Sequence, residues 1–317
     1  MGLQIMQSRS TGKSHAKVIL IGDHSVVYGQ PAIAVPLPDL SMTATVTTRH
    51  SGQMILTPNY QGPMDSMGEV YEGVRQLITR LLKRFDATDL PFTLKISSKI
   101  PQERGMGSSA ASSIAITRAF FNFFEKDLSQ KELQQWVNIE EAVTHGSPSG
   151  LDAATCSSDV PVWFIKKQTI ETLEMNLDGY LIIADTGIRG QTGLAVSVVR
   201  EQMETAPEDT QGHLEALGSI AQIMRKGLVE NDTKTIGQAM TDAHHHLQTL
   251  GVSHPSLDRL VKAALAAGAA GAKLTGGGVG GAMIALTDTK EEATQVIHAL
   301  EQAGAQEIWS QHYVSQK

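Results

Sequence analysis

Residues 101–113 read Pro-Gln-Glu-Arg-Gly-Met-Gly-Ser-Ser-Ala-Ala-Ser-Ser, a glycine- and serine-rich turn that runs from a strand-like segment into a helix-like one. Glycines let the backbone fold tightly around a ligand, and the first turn of a helix offers unpaired N–H groups at the positive end of its dipole. Such a turn is an anion cradle, and Gly105, Met106, Gly107, Ser108 and Ser109 are its candidate phosphate contacts. Glu141 and Asp152 flank a loop, His145-Gly-Ser-Pro-Ser-Gly150, and Lys17 opens the first apolar run. A cation in a buried strand is costly unless an anion meets it.

Together these residue types suit phosphoryl transfer. Magnesium takes one or two protein oxygens beside phosphate oxygens and water, so Glu141 with the Ser109 hydroxyl would suffice. Glu140 is equally available, and either glutamate could instead belong to a solvated helix face. Asp152 has two readings: a carboxylate at a helix N-terminus that Ser149 would cap, or a group aimed at an acceptor hydroxyl. An aspartate is a very weak base toward an alcohol. The phosphoryl-transfer transition state is loose, however, so the proton can leave late while Asp152 orients the hydroxyl and takes the proton as the new bond forms. Lys17 would hold Asp152 ionised and stabilise charge on the transferring oxygens.

The elements that must position these groups follow from periodicity. Val18-Ile-Leu-Ile21, closed by Gly22, reads as a buried strand. Residues 40–57, rich in β-branched types, read as paired strands, and Val70, Val74, Leu77, Ile78, Leu81, Leu82 and Phe85 recur at helical spacing. Residues 92–97 alternate like a strand and lead into the cradle. Ser129 with Glu132 is a capping box for a helix to about Thr144, and another helix starts near Asp152. Residues 180–184 read as a second buried strand; beyond them the chain is mostly helical until strands return at 272–275, 282–286 and 307–314. Early strands in hairpin-like pairs favour α+β over a doubly wound sheet.

Several motifs are decoys. Thr11-Gly-Lys-Ser14 resembles the end of a phosphate-binding P-loop, but Gln7 stands where the first glycine is required and the strand follows the motif. Gly276-Gly-Gly-Val-Gly-Gly281 matches a dinucleotide fingerprint, yet the residues after it read as a strand, which favours a tight strand-to-strand loop. His244, His245 and His246 are consecutive and lack the i, i+4 ligand spacing, so packing or solvation is the expected role. Asn231-Asp-Thr233 fits a glycosylation sequon without any sign of secretion, and Cys156 reads as a small buried residue.

At 317 residues the chain can bury one large core or two ordinary ones. A formal net charge of −7, with no basic runs, argues against general nucleic-acid or acidic-membrane binding. The single cysteine fits a reducing compartment. Residues 1–6 match neither a secretory signal nor a myristoylation site, and the apolar runs are too short to span a bilayer. The expected setting is the cytoplasm.

Lys17-Val-Ile-Leu-Ile-Gly-Asp-His-Ser-Val-Val-Tyr-Gly29, residues 101–111 and Lys273-Leu-Thr-Gly-Gly-Gly-Val-Gly-Gly281 resemble the three motifs of the galactokinase, homoserine kinase, mevalonate kinase and phosphomevalonate kinase superfamily. His145-Gly-Ser-Pro-Ser-Gly-Leu-Asp152 is similar to its mevalonate kinase branch in particular. The resemblance covers nearly the whole chain, in the expected order. It implies a two-domain α+β fold, divided near residue 177 into 1–177 and 178–317, with the active site in the cleft between domains and often a homodimer. It implies transfer of the ATP γ-phosphoryl group to the primary alcohol of mevalonate, with Mg2+.

Asp152 falls on the family's catalytic base and Lys17 on its catalytic lysine, both beside the substrate. Glu141 and Ser109 fall on magnesium ligands, and residues 105–109, Ser98 and Asn59 on nucleotide contacts. His24 falls in the substrate-contacting segment. Asp23 replaces the usual glutamate, which could alter how the substrate end is held, and Val279 replaces a smaller residue. Phosphomevalonate kinase, whose substrate carries an added phosphate, calls for extra basic residues, and none cluster near His24 and Asp152. A catalytically silent relative would lack the lysine, the base or the cradle; all are present.

Overall fold

The apolar run at residues 18–21 is the end of a longer strand, β1 (Arg9–Ile21), in a computed structural model that describes residues 7–101, 104–145, 150–168 and 170–315. The Thr11-Gly-Lys-Ser14 decoy lies inside β1, as strand and not as a phosphate loop. Gly12 is needed there for close approach: an added Cβ would stand 2.1 Å from the Ala115 carbonyl oxygen.

In chain order there follow β2 (Ala32–Thr48), β3 (Gln53–Leu56), β4 (Gln61–Pro63), α1 (Glu72–Arg84), β5 (Phe92–Ser98), α2 (Ser108–Phe123), α3 (Gln130–His145) and α4 (Leu151–Cys156). Then come β6 (Val162–Phe164), β7 (Glu171–Thr172), β8 (Gly179–Asp185), α5 (Thr192–Thr205), α6 (Pro207–Glu230), α7 (Thr233–Thr249) and α8 (Pro255–Ala266). The chain closes with β9 (Gly271–Thr275), β10 (Ala282–Thr287), α9 (Lys290–Gln302) and β11 (Glu307–Tyr313).

The chain resolves into two compact units, one of Met1–Lys17, Pro36–Pro101 and Gly107–Asp159, the other of Val18–Val35, Gln102–Met106 and Val160–Lys317. In the first, the strand order is β4-β3-β5-β2. The expectation of paired strands across 40–57 is corrected here: β5 lies between β2 and β3, antiparallel to the former and parallel to the latter. Alternation reported two half-buried strands, but their partner is set by the face that α2 covers, where Phe92 on β5 meets Phe120 edge-on at 5.4 Å. Phe85, just after α1, stacks on Phe124 at 4.4 Å, joining α1 to the end of α2. Val70 does not belong to α1; it sits in a preceding turn and is 93% exposed. Ser129 caps α3 as expected, its hydroxyl accepting from the Glu132 N–H.

In the second unit, β11-β8-β10-β9 form an antiparallel sheet against which α7, α8 and α9 pack. The start of β2 pairs with β6, and β6 with β7. Among the described residues no helix is long and apolar enough to cross a membrane.

Candidate active site

In the first unit, α2 begins at Gly107, whose φ of 72° is left-handed and which provides no side-chain cap. The helix-opening N–H groups are therefore left for a ligand. A Cβ at Gly107 would fall 2.7 Å from Cys156 Sγ and 3.1 Å from Lys17 Cγ, so the cradle backbone rests directly on the Lys17 stem. Met106 is buried, so only its backbone is available to a nucleotide, whereas Gly105 is exposed.

Lys17 is brought to this point by β1, its side chain only 4% exposed, and its Nζ lies 3.0 Å from Asp152 Oδ1. Asp152 remains 36% exposed, enough to meet a second molecule. It stands in the first turn of α4, a short helix that starts after left-handed Gly150 without a side-chain cap. Ser149, the expected cap, lies outside the described residues, as do residues 1–6 and most of the loop at 146–149. Ser14 pins the other end of α4 to β1, its hydroxyl donating to the Cys156 carbonyl at 2.9 Å. Cys156 is the buried residue its type suggested, and burial pushes its thiol well up from the ordinary range.

The two glutamates of α3 divide. Ser109 Oγ donates to Glu140, at 2.8 Å to Oε1 and 2.6 Å to Oε2, and Ser113 Oγ donates to the same carboxylate at 3.2 Å. Glu141 is equally buried, and its carboxyl is pushed up to about 7, chiefly by burial and then by the charges of Asp152 and Glu140. Lys17 and the Ser109 hydroxyl oppose that rise. Glu141 thus feels two other carboxylates and one ammonium, an excess of negative charge that suits a divalent cation. Among the described residues no three His, Cys, Asp or Glu side chains are placed to hold a metal unaided, so phosphate oxygens and a hydroxyl would complete the shell.

Ser98 ends β5, where its hydroxyl accepts from the Ile100 N–H at 2.9 Å. Asn59 sits in the exposed turn between β3 and β4.

His24 belongs to the second unit. Its φ of 61° is left-handed, and its Nε2 lies 3.0 Å from the Gly277 carbonyl. Burial lowers its pKa, against the opposing pull of Asp23. Asp23 itself is enclosed: Oδ1 accepts from the Gly276 N–H at 2.7 Å, and Oδ2 pairs with Lys273, both side chains fully buried. Sequence reasoning missed Lys273. The signal was the one that flagged Lys17, a cation inside an apolar strand. The loop at 276–281 joins β9 to β10 as strand to strand, which disposes of the dinucleotide fingerprint. Val279 is held there at φ 51°, its N–H donating to Val252 O at 2.9 Å.

The three consecutive histidines part ways. His244 is buried 3.2 Å from Asp258 Oδ1, His245 is exposed, and His246 Nδ1 lies 2.8 Å from His213 Nδ1.

Two family models match the chain, "GHMP kinases N terminal domain" over residues 72–159 and "GHMP kinases C terminal" over 224–306. A mevalonate kinase of Pyrococcus furiosus is 32% identical over 310 residues, spanning 91% of this chain and 92% of its own. The chain belongs to the GHMP kinase family. Solved structures agree with this kinase in fold. The mevalonate kinase of methicillin-resistant Staphylococcus aureus is 29% identical with a TM-score of 0.76, over 96% of this chain and 99% of its own. That of L. major, solved with R-mevalonate, has a TM-score of 0.87 at 22% identity, over 99% of both chains. The α+β expectation holds, and the kinase is an ATP-dependent phosphotransferase acting on an alcohol.

Proposed function

We propose that the chain is a mevalonate kinase, transferring the ATP γ-phosphoryl group to the primary alcohol of mevalonate to give 5-phosphomevalonate. The observation that carries this reading is the Lys17–Asp152 pair, 3.0 Å apart, against the backbone of a glycine cradle, in a chain 32% identical to a mevalonate kinase over 91% of its length.

The N–H groups opening α2 receive phosphate oxygens, with Gly105, Met106, Gly107, Ser108 and Ser109 as backbone contacts and Ser98 and Asn59 as further nucleotide contacts. Asp152 accepts a hydrogen bond from the acceptor hydroxyl, turns its oxygen toward the phosphorus, and takes the proton as the P–O bond forms. Lys17, held beside it, stabilises the charge on the transferring oxygens. His24 contacts the substrate. Glu141 and Ser109 would hold Mg2+, whose charge offsets that of the phosphates during transfer.

In this reading residues 1–177 bind nucleotide and substrate, and 178–317 form the C-terminal domain. The enzyme works in the cytoplasm on small molecules, and a homodimer is an assembly that the family resemblance alone suggests. The net charge of −7 supports the absence of a nucleic-acid or membrane partner. A coupled assay of ADP release with mevalonate, phosphomevalonate and no acceptor tests the assignment. Turnover with mevalonate is expected; turnover only with the phosphorylated acceptor, or with neither, defeats it.

A further inference from the structure

We infer that Glu140 is a positioning residue: by taking the Ser109 hydroxyl hydrogen it presents Ser109 to the nucleotide's divalent cation as an oxygen ligand, and withdraws it as a donor to phosphate. The inference rests on the metal role proposed above for Ser109 and Glu141.

A serine hydroxyl has one hydrogen and two lone pairs. Ser109 Oγ lies 2.8 and 2.6 Å from the two Glu140 oxygens, so its hydrogen is given to that carboxylate in a charge-assisted bond stronger than one to a neutral acceptor. What Ser109 can still offer is lone pairs, and these favour a cation over a phosphate oxygen. Glu140 also takes Ser113 Oγ at 3.2 Å, so a carboxylate on α3 grips two successive turns of α2 and fixes where Ser109 faces. Glu140 is only 5% exposed, and a buried carboxylate is an expensive brace where a neutral glutamine would do. A negative charge behind the hydroxyl makes its oxygen a better ligand for a cation, which a neutral brace would not. Glu141, one position further on, meets the same hydroxyl but lies in the field of Lys17 and Asp152, and is the glutamate placed to bind the ion itself. The two neighbouring carboxylates that the sequence left equivalent thereby acquire separate tasks.

Mn2+ titrated into the enzyme–ADP complex and followed by electron paramagnetic resonance reads cation affinity without turnover; calorimetric titration with metal-free ADP reads the cradle alone. Glu140→Gln is expected to weaken Mn2+ about 10-fold, as outer-shell partners of metal ligands do, and to leave metal-free ADP within twofold. Glu140→Asp, which keeps the charge but loses reach, should show the same loss, and thermal melting checks that both variants are folded. Because Glu140 acts through Ser109, Ser109→Ala/Glu140→Gln should bind Mn2+ no worse than Ser109→Ala. Unchanged Mn2+ affinity in Glu140→Gln, while Glu141→Ala weakens it, overturns the inference alone. So does an equal loss of metal-free ADP, which would make Glu140 a brace of the cradle. If Ser109→Ala and Glu141→Ala both leave Mn2+ binding intact, the metal reading falls and the inference falls with it.

Discussion

Lys17 Nζ lies 3.0 Å from Asp152 Oδ1, with the lysine side chain almost enclosed and the aspartate about one-third exposed. In the proposed reaction the partly open member of the pair is the one that meets the acceptor. Asp152→Ala should therefore cut kcat by about 10²–10⁴-fold, the range for a positioned proton acceptor, while the nucleotide dissociation constant moves less than threefold. Steady-state kinetics with equilibrium ADP binding measures both. A variant retaining full turnover would remove Asp152 from the chemistry.

Gly107→Ala confronts two obstacles at once. A left-handed φ costs a residue with a Cβ about 1 kcal/mol or more, and the new methyl would press on Cys156 Sγ and the Lys17 stem. Nucleotide affinity and melting temperature should both fall. Gly107→Ala/Cys156→Ala relieves the sulfur contact but not the backbone strain, so stability should return only in part. Full recovery would show that φ at this position is unimportant.

The Asp23–Lys273 pair is buried on both sides. Removing one partner of such a pair leaves an uncompensated charge and costs about 3–5 kcal/mol, whereas replacing both by apolar groups is far milder. Lys273→Met should destabilise the enzyme strongly in denaturant unfolding, and Asp23→Leu/Lys273→Met should be more stable than Lys273→Met. Asp23 also holds the Gly276 N–H, so the double variant will not regain all of the loss.

His244 supplies a pH dependence. Its Nδ1 accepts from the Leu274 N–H, and burial, Lys273 and His245 lower its pKa to about 4 against the pull of Asp258. Between 6.5 and about 4 the unfolded chain carries a proton here that the folded chain does not. Its contribution is thus fully present above pH 6.5 and is lost as the pH falls toward 4, about 3 kcal/mol across the window. Unfolding free energies across that range should slope less in His244→Gln than in the parent. Equal slopes would show that His244 takes up its proton without unfolding pressure.

Glu141 sits among more negative than positive charge, with its carboxyl pushed up to about 7. Glu141→Ala should raise the Mg2+ concentration needed for half-maximal rate by at least about 10-fold, with little change in the rate at saturating metal. Initial rates against free Mg2+ decide it; an unchanged half-saturation point would assign the ligand elsewhere.

By themselves the residues specified the cradle, the buried cation Lys17 and its need for an anion, and most helices and strands, because turn chemistry and side-chain periodicity are local properties. They also exposed two glycine decoys, since a strand or a helix after a glycine loop is visible in the next few residues. Tertiary packing decided the rest. That β5 inserts between β2 and β3 depends on the face α2 covers, and alternation is silent about partners. That Ser109 reaches Glu140, and that Lys273 is answered by Asp23, depends on how elements 31 and 250 residues apart are laid together. Adjacent carboxylates are equivalent in a string of letters; only a fixed helix rotation against a neighbour, and the cost of burying a charge unmatched, makes them different.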